Sequence, residues 1–180
     1  DHGWYTDTTY DMNYWTYIAE ELPALCRELF PQLTKKRERT FVAGLSMGGY
    51  GAVKLGLRKP ENFSRVASLS GALCFTEDPA PLLAIRSRKY WEGIFGPLEK
   101  LGTSMENPLH LLSQVDPKSA PEFFICCGTE DDLLPVNHYF VHKAQEKGFA
   151  VTYEEGPGIH NWDFWDAWLP RVLEWLPLDK

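Results

Sequence analysis

The sequence predicts an α/β fold, a parallel sheet with helices on both faces, and three observations lead there. Short strand-like runs recur along the chain: "RTFVAGLS" (39–46), "RVASLSG" (65–71), "EFFICCGT" (122–129) and "VTYEEGPG" (151–158). Between and around them, apolar residues return at the 3.6-residue spacing of a buried helix face. The two patterns alternate, and the central runs are continuously apolar rather than alternating, as in strands covered on both sides.

Taken in order, "YDMNYWTYIAEELPALCRELF" (10–30) predicts a helix with Tyr14, Tyr17, Ile18, Leu22, Leu25 and Leu29 on its inner face. Thr9 or Asp11 offers a cap, and Pro23 predicts a kink or break. Glu20 and Glu21 read as a solvated face. The first strand at 39–46 runs into a helix from Met47 to Arg58 that Pro60 ends. Further helices fit at 136–147, closed by Gly148, and at 161–176. Trp162, Trp165, Trp168, Leu169, Val172 and Trp175 recur through the last one at helical spacing, which predicts a largely buried set.

Residues 73–120 interrupt the alternation. The stretch "YWEGIFGPLEKLGTSMENPLHLLSQVD" (90–116) is longer than an ordinary strand–helix connection, with Tyr90, Trp91 and Phe95 set among Gly and Pro. It reads either as an excursion over the C-terminal strand ends, where such sheets bind ligands, or as a packed helical insert. On the first reading Trp91 belongs to a substrate pocket. The chain as a whole, 1–180, reads as one α/β domain with this insertion.

Composition narrows the function. A chain of 180 residues, 44% hydrophobic and 14% aromatic, suits a packed core and excludes a disordered segment. A net charge of −7 with no basic patch argues against nucleic acid. No apolar run approaches the ~18 residues of a membrane span. Cys26, Cys74, Cys126 and Cys127 match no zinc spacing and read as small buried thiols, which points to a cytoplasmic location. The opening "DHGWYTD", with no initiator Met, looks like the middle of a protein, and processing or truncation is one expectation.

The chemistry concentrates at Gly44-Leu45-Ser46-Met47-Gly48, between a predicted strand and a predicted helix. A nucleophilic serine needs a hydroxyl held clear of the sheet, a base beside it and donors for an oxyanion. A sharp strand-to-helix turn supplies the first, with Gly two residues before and after the serine. Met47 would offer a backbone N–H at the helix start, reinforced by the helix dipole. Gly49 and Gly51 would let the helix approach the sheet. Elbows of this kind carry their partners in the order serine, acid, histidine. "CCGTEDDLLP" places Glu130, Asp131 and Asp132 just past the third strand, and "GPGIHNW" places His160 before the last helix. Spacing does not choose among the three carboxylates. His138 and His142 stand four apart on a helix but lack the Glu of a zinc-protease motif, so they read as surface residues. His110 falls in the insertion. His2-Gly3 lies too close to the elbow to serve as an oxyanion loop.

Together "GLSMGGYGA", "GTEDDLL" and "GIHNWDFW" closely resemble the esterase family of the α/β-hydrolase superfamily that includes S-formylglutathione hydrolase (esterase D), tributyrin and acetyl esterases and feruloyl esterases. The resemblance runs from Trp4 to about Trp175 and is nearest the tributyrin-esterase-like branch. It implies an α/β-hydrolase fold, Ser46 as nucleophile, His160 as base, Asp131 as acid and the Met47 N–H as one oxyanion donor. It also implies that Trp4 and Trp162 lie near the site, and that neither a metal nor an organic cofactor is needed. The activity implied is a serine carboxylesterase acting on short acyl or aryl esters of small molecules. An acyltransferase using the same triad, or a non-catalytic interaction module, are the alternatives. Relatives carry some seventy to a hundred residues before this point, building the first strands and the loop with the second oxyanion donor. The expectation is therefore an exposed edge at "TFVAGLS", covered by an N-terminal chain or by a homo-oligomer.

Overall fold

In the computed structural model of the chain, four parallel strands lie in the order β1-β2-β3-β4: β1 (Phe41–Leu45), β2 (Arg65–Leu69), β3 (Glu122–Gly128) and β4 (Val151–Gly156). Residues 2–75 and 78–178 are described; Thr76 and Glu77 of the expected insertion, and residues 1, 179 and 180, lie outside them. In-register pairing of Leu45 with Leu69, Leu69 with Cys126 and Gly128 with Gly156 brings the strand ends to one edge. The segments bearing Ser46, Asp131 and His160 all leave from that edge.

Each face of the sheet has its own core. Val42, Val66, Phe123 and Ile125 pack with Tyr50, Val53 and Leu57 of α3 (Met47–Arg58) and with Phe140, Val141 and Ala144 of α7 (Leu134–Glu146). The opposite face, through Ala67, Leu69, Phe124 and Cys126, packs on Phe164, Trp165, Trp168 and Val172 of α8 (Trp162–Trp175). The buried side of α8 is thus set by Phe164 and Trp165 rather than by every tryptophan, and Trp162 and Leu169 stand exposed. Burial pushes the thiols of Cys74 and Cys127 up, to about 11 and about 12, so both are protonated, unreactive packing groups at neutral pH.

The N-terminal helical stretch departs from expectation. It begins at Asn13 as α1 (Tyr14–Thr16), widens into a π-turn (Tyr17–Glu21) and continues as α2 (Leu22–Leu29). Neither Thr9 nor Asp11 caps it; Thr9 Oγ1 instead donates to the Gly93 carbonyl at 2.6 Å. Pro23 does not break the helix. Lacking an N–H, it sits just after the wide turn, where the regular bonding is already interrupted. Of the inner face, Tyr17, Leu25 and Leu29 are exposed, and Trp15 is the residue this stretch buries.

Residues 78–120 fold as a packed, largely helical insert: α4 (Ala80–Ile85), α5 (Arg88–Phe95), a 3₁₀ turn (Leu98–Thr103) and α6 (Pro108–Leu111). Leu82, Trp91, Ile94, Leu98 and Leu111 join the first core, while Ile85, Arg86 and Tyr90 reach the cavity described below. At the other side β1 is a terminal strand of the sheet and, among the described residues, pairs with β2 alone. No helix of the described residues is long and apolar enough to cross a membrane.

Candidate active site

β1 ends at Leu45 and α3 begins at Met47, so Ser46 must reverse the chain by itself. It does so at φ 54° and ψ −122°, a backbone state that non-glycine residues rarely adopt. The turn is held from both sides: Ser46 N–H donates to the Leu69 carbonyl and its own carbonyl accepts from Ala72, each at 2.9 Å. Gly44 is required here, because a Cβ on it would lie 2.1 Å from the Gly48 carbonyl oxygen. Gly48 is less crowded than its symmetric position suggests, a Cβ there meeting the Tyr5 hydroxyl at 3.4 Å. Gly49 admits β2, with Ser68 Oγ 2.5 Å from a virtual Cβ, whereas Gly51 admits the ring of Tyr5 rather than the sheet.

The strand-end loops bring two partners to this serine. His160 Nε2 lies 2.8 Å from Ser46 Oγ, and His160 Nδ1 lies 2.9 Å from Asp131 Oδ2. With the proton on Nδ1 the ring donates to the carboxylate and accepts from the serine hydroxyl. Asp131 is buried to 4% exposure, and its other oxygen accepts from Leu133 N–H at 2.8 Å. Trp165 supports the imidazole edge-on, its ring centroid 5.0 Å away. Of the three candidate carboxylates, Asp131 alone faces His160. Asp132 is exposed, and Glu130 accepts from the Gly158 N–H at 2.5 Å, which lowers its own pKa.

That last contact belongs to a tie that spacing did not reveal. The acid-bearing and histidine-bearing loops meet backbone to backbone, with Thr129 N–H donating to Gly156 and Glu130 N–H to Gly158. A Cβ on Gly128 would sit 2.1 Å from the Gly158 carbonyl oxygen. Gly128→Ala is therefore expected to push the two loops apart, destabilising the fold by about 1–3 kcal/mol and lowering kcat/KM. Thermal unfolding and ester kinetics on the same preparation check both effects.

A cavity of about 870 Å³ opens beside the serine, lined among others by Trp4, Tyr5, Met47, Ile85, Tyr90 and Leu133. Met47 occupies the first position of α3, where no preceding turn supplies an acceptor for its N–H. Trp4 lies on the cavity wall. Trp91 does not: it is wholly buried, stacked on Phe95, with its indole N–H donating to the Leu82 carbonyl at 2.7 Å. Trp162 is also absent from the lining; at 64% exposure it packs edge-on against Trp165, on the outside of the residue that touches His160. His2 lines the cavity, whereas His110 lines a separate one. His138 bonds Glu155 at 2.7 Å on the surface. Among the described residues, no group of three His, Cys, Asp or Glu side chains could hold a metal ion.

A protein-family model described as "Putative esterase" matches residues 4–176. The chain belongs to this esterase family. Among curated members, an acetyl esterase of Caldicellulosiruptor saccharolyticus is 33% identical, over 89% of the chain and 62% of its own length. An S-formylglutathione hydrolase of Bos taurus is 29% identical over 90% of the chain and 57% of its own. The chain thus spans about six-tenths of these esterases. Of solved structures, a fluorophosphonate-binding serine hydrolase of Staphylococcus aureus superposes with a TM-score of 0.87 at 30% identity, covering 99% of the chain and 69% of that structure. The S-formylglutathione hydrolase of the same organism gives 0.79 at 29%, covering 98% and 68%. The four-stranded sheet with its helices is accordingly part of the α/β-hydrolase fold that these family members share.

Proposed function

We propose that the chain carries the catalytic centre of a serine carboxylesterase acting on short acyl or aryl esters of small molecules. The observation that carries this reading is the histidine bonded on both nitrogens, to a strained elbow serine at 2.8 Å and to a buried aspartate at 2.9 Å. Ser46 Oγ attacks the ester carbonyl as His160 Nε2 takes its proton, and Asp131 stabilises the imidazolium that results. The negative charge on the carbonyl oxygen is met by the Met47 N–H and the α3 dipole. Collapse expels the alcohol, protonated from Nε2, and leaves an acyl-Ser46. Water, deprotonated by the same nitrogen, then releases the acid and restores the serine. A 33% identical acetyl esterase supports short acyl groups.

Residues 1–180 act in this reading as one α/β-hydrolase domain, with 73–120 as its insertion. The bare side of β1 is the place where an N-terminal chain or a second copy adds a strand and covers the edge. The test is p-nitrophenyl acetate turnover with fluorophosphonate labelling and mapping of the labelled residue. Label on Ser46 with release of free acetate is expected. Transfer of the acetyl group to an added alcohol in preference to water would assign an acyltransferase instead. A folded chain that neither labels nor turns over would leave an interaction module.

A further inference from the structure

The steps above make no use of the most deeply buried cation among the described residues. Lys54 of α3 is fully buried, and its Nζ donates to the Tyr5 carbonyl at 2.6 Å, to Thr6 Oγ1 at 2.9 Å and to Glu106 Oε2. An ammonium has three N–H donors, so these acceptors use all of them. Charged and titratable groups face it from every packed element. Glu106 comes from the insert, its other oxygen accepting from Arg58 Nη1 at 3.0 Å, and Arg58 lies on Lys54's own helix. Asp7 adds attraction from the N-terminal segment, and Tyr50 donates its hydroxyl proton to the Glu106 carbonyl at 2.8 Å. The ring of Trp15 lies 5.1 Å from Nζ and 3.7 Å from the Arg58 guanidinium.

A buried ion pair is a poor source of net stability, because desolvation offsets its attraction. What this one does hold is an unusual piece of backbone. Trp4 and Tyr5 are consecutive non-glycine residues at φ 49° and 51°, and it is the Tyr5 carbonyl that Lys54 grips. Both side chains line the catalytic cavity. The Tyr5 ring lies across Gly51, with its hydroxyl beside Gly48, two residues from Ser46. Trp4 Nε1–H donates to the Tyr90 hydroxyl at 3.1 Å, joining this wall to the insert.

We propose that Lys54, held by Glu106, is a positioning residue of the ester site, whose ammonium pins the left-handed Trp4–Tyr5 turn and so sets the cavity wall beside the nucleophile elbow. The kinetic consequence rests on the esterase reading. Burial draws the Lys54 pKa down to about 8, against the opposing pull of Glu106. With Nζ charged, Thr6 Oγ1 accepts from it and donates its own proton to the Trp4 carbonyl at 2.8 Å. Above that pH the neutral amine has two N–H donors and a lone pair, so the Thr6 hydroxyl turns its proton to Nζ and the Trp4 carbonyl of the turn is released. The effect on stability has the opposite sign. Between about pH 8 and the ordinary lysine range, the unfolded chain binds this proton more tightly than the folded one. The contribution of Lys54 to stability therefore rises with pH over that window. A wall that loosens while the fold gains stability is what separates positioning from a purely structural role.

The experiment follows KM for p-nitrophenyl acetate from pH 6.5 to 9.5. It also follows the indole N–H resonance of Trp4, assigned with Trp4→Phe. In the native chain KM is expected to rise roughly three- to tenfold through pH 8, the order of one lost neutral hydrogen bond, with the Trp4 resonance moving at the same midpoint. Lys54→Met has a raised KM without the step. Thr6→Val removes the hydroxyl that links Nζ to the Trp4 carbonyl, so KM is raised at every pH and the step is lost while the lysine is kept. Thr6→Val decides the matter if Lys54→Met does not fold. A native KM and Trp4 resonance that are both flat through pH 8, or a step that survives in Thr6→Val, overturns the proposal. Absence of any ester turnover by the native chain overturns the esterase reading instead, and the Trp4 resonance still reports on the tie.

Discussion

Ser46→Ala is expected to abolish ester turnover, lowering kcat by about six orders of magnitude, and to leave thermal unfolding almost unchanged. The asymmetry follows from where the hydroxyl sits. Its one hydrogen bond runs to His160 Nε2, at the open side of the site, so little packing depends on it. The strain of the turn stays, since alanine is as poorly suited as serine to φ 54°. Only the attacking atom is lost. Fluorophosphonate labelling should vanish in the same variant, and turnover retained by a pure Ser46→Ala preparation would falsify the assigned nucleophile.

Asp131→Asn is expected to lower kcat by about four orders of magnitude without unfolding the chain. Asparagine fits the same space and can still accept from Leu133 N–H, replacing the 2.8 Å bond that the carboxylate makes there. Its amide N–H₂ would then face His160 Nδ1, forcing the ring proton onto Nε2. In that tautomer the imidazole donates toward Ser46 instead of accepting, and the general base is gone. Asp132→Asn provides the contrast. That side chain is exposed, and its substitution should leave kcat within a few-fold of native. Steady-state kinetics on the two variants separate the carboxylates that spacing leaves equivalent, and equal losses in both would sink the assignment to Asp131.

Much of the fold is legible in local pattern. The α3 helix runs from Met47 to Arg58 in both sequence and structure, because a glycine-rich turn starts it and a proline ends it. Serine, acid and histidine could be ordered because each follows a strand whose end is marked by glycine. What local pattern cannot carry is which partner an amphipathic surface meets. The stripe Tyr17, Leu25, Leu29 has helical spacing, yet nothing among the described residues covers it. Aromatic composition likewise does not say which side of a helix faces a cavity. Trp91 turns into the core while its neighbour Tyr90 reaches the site. The choice of Asp131 depends on a hydrogen bond to His160, twenty-nine positions on, and Lys54 owes its role to Glu106, fifty-two positions away. Such pairings exist only once the chain has closed on itself.

The backbone contact between Gly128 and Gly158 has a mechanical consequence. The acid and histidine loops are riveted to one another by carbonyl, amide and carboxylate bonds, and the His160–Asp131 pair spans that same joint. Ser46 stands on a different strand end and meets this assembly through a single hydroxyl contact. Thermal displacement therefore carries His160 and Asp131 as one rigid lever. On the proposed esterase reading, the softest coordinate of the triad is the gap between lever and serine, the distance that would open and close as an acyl group arrives and leaves.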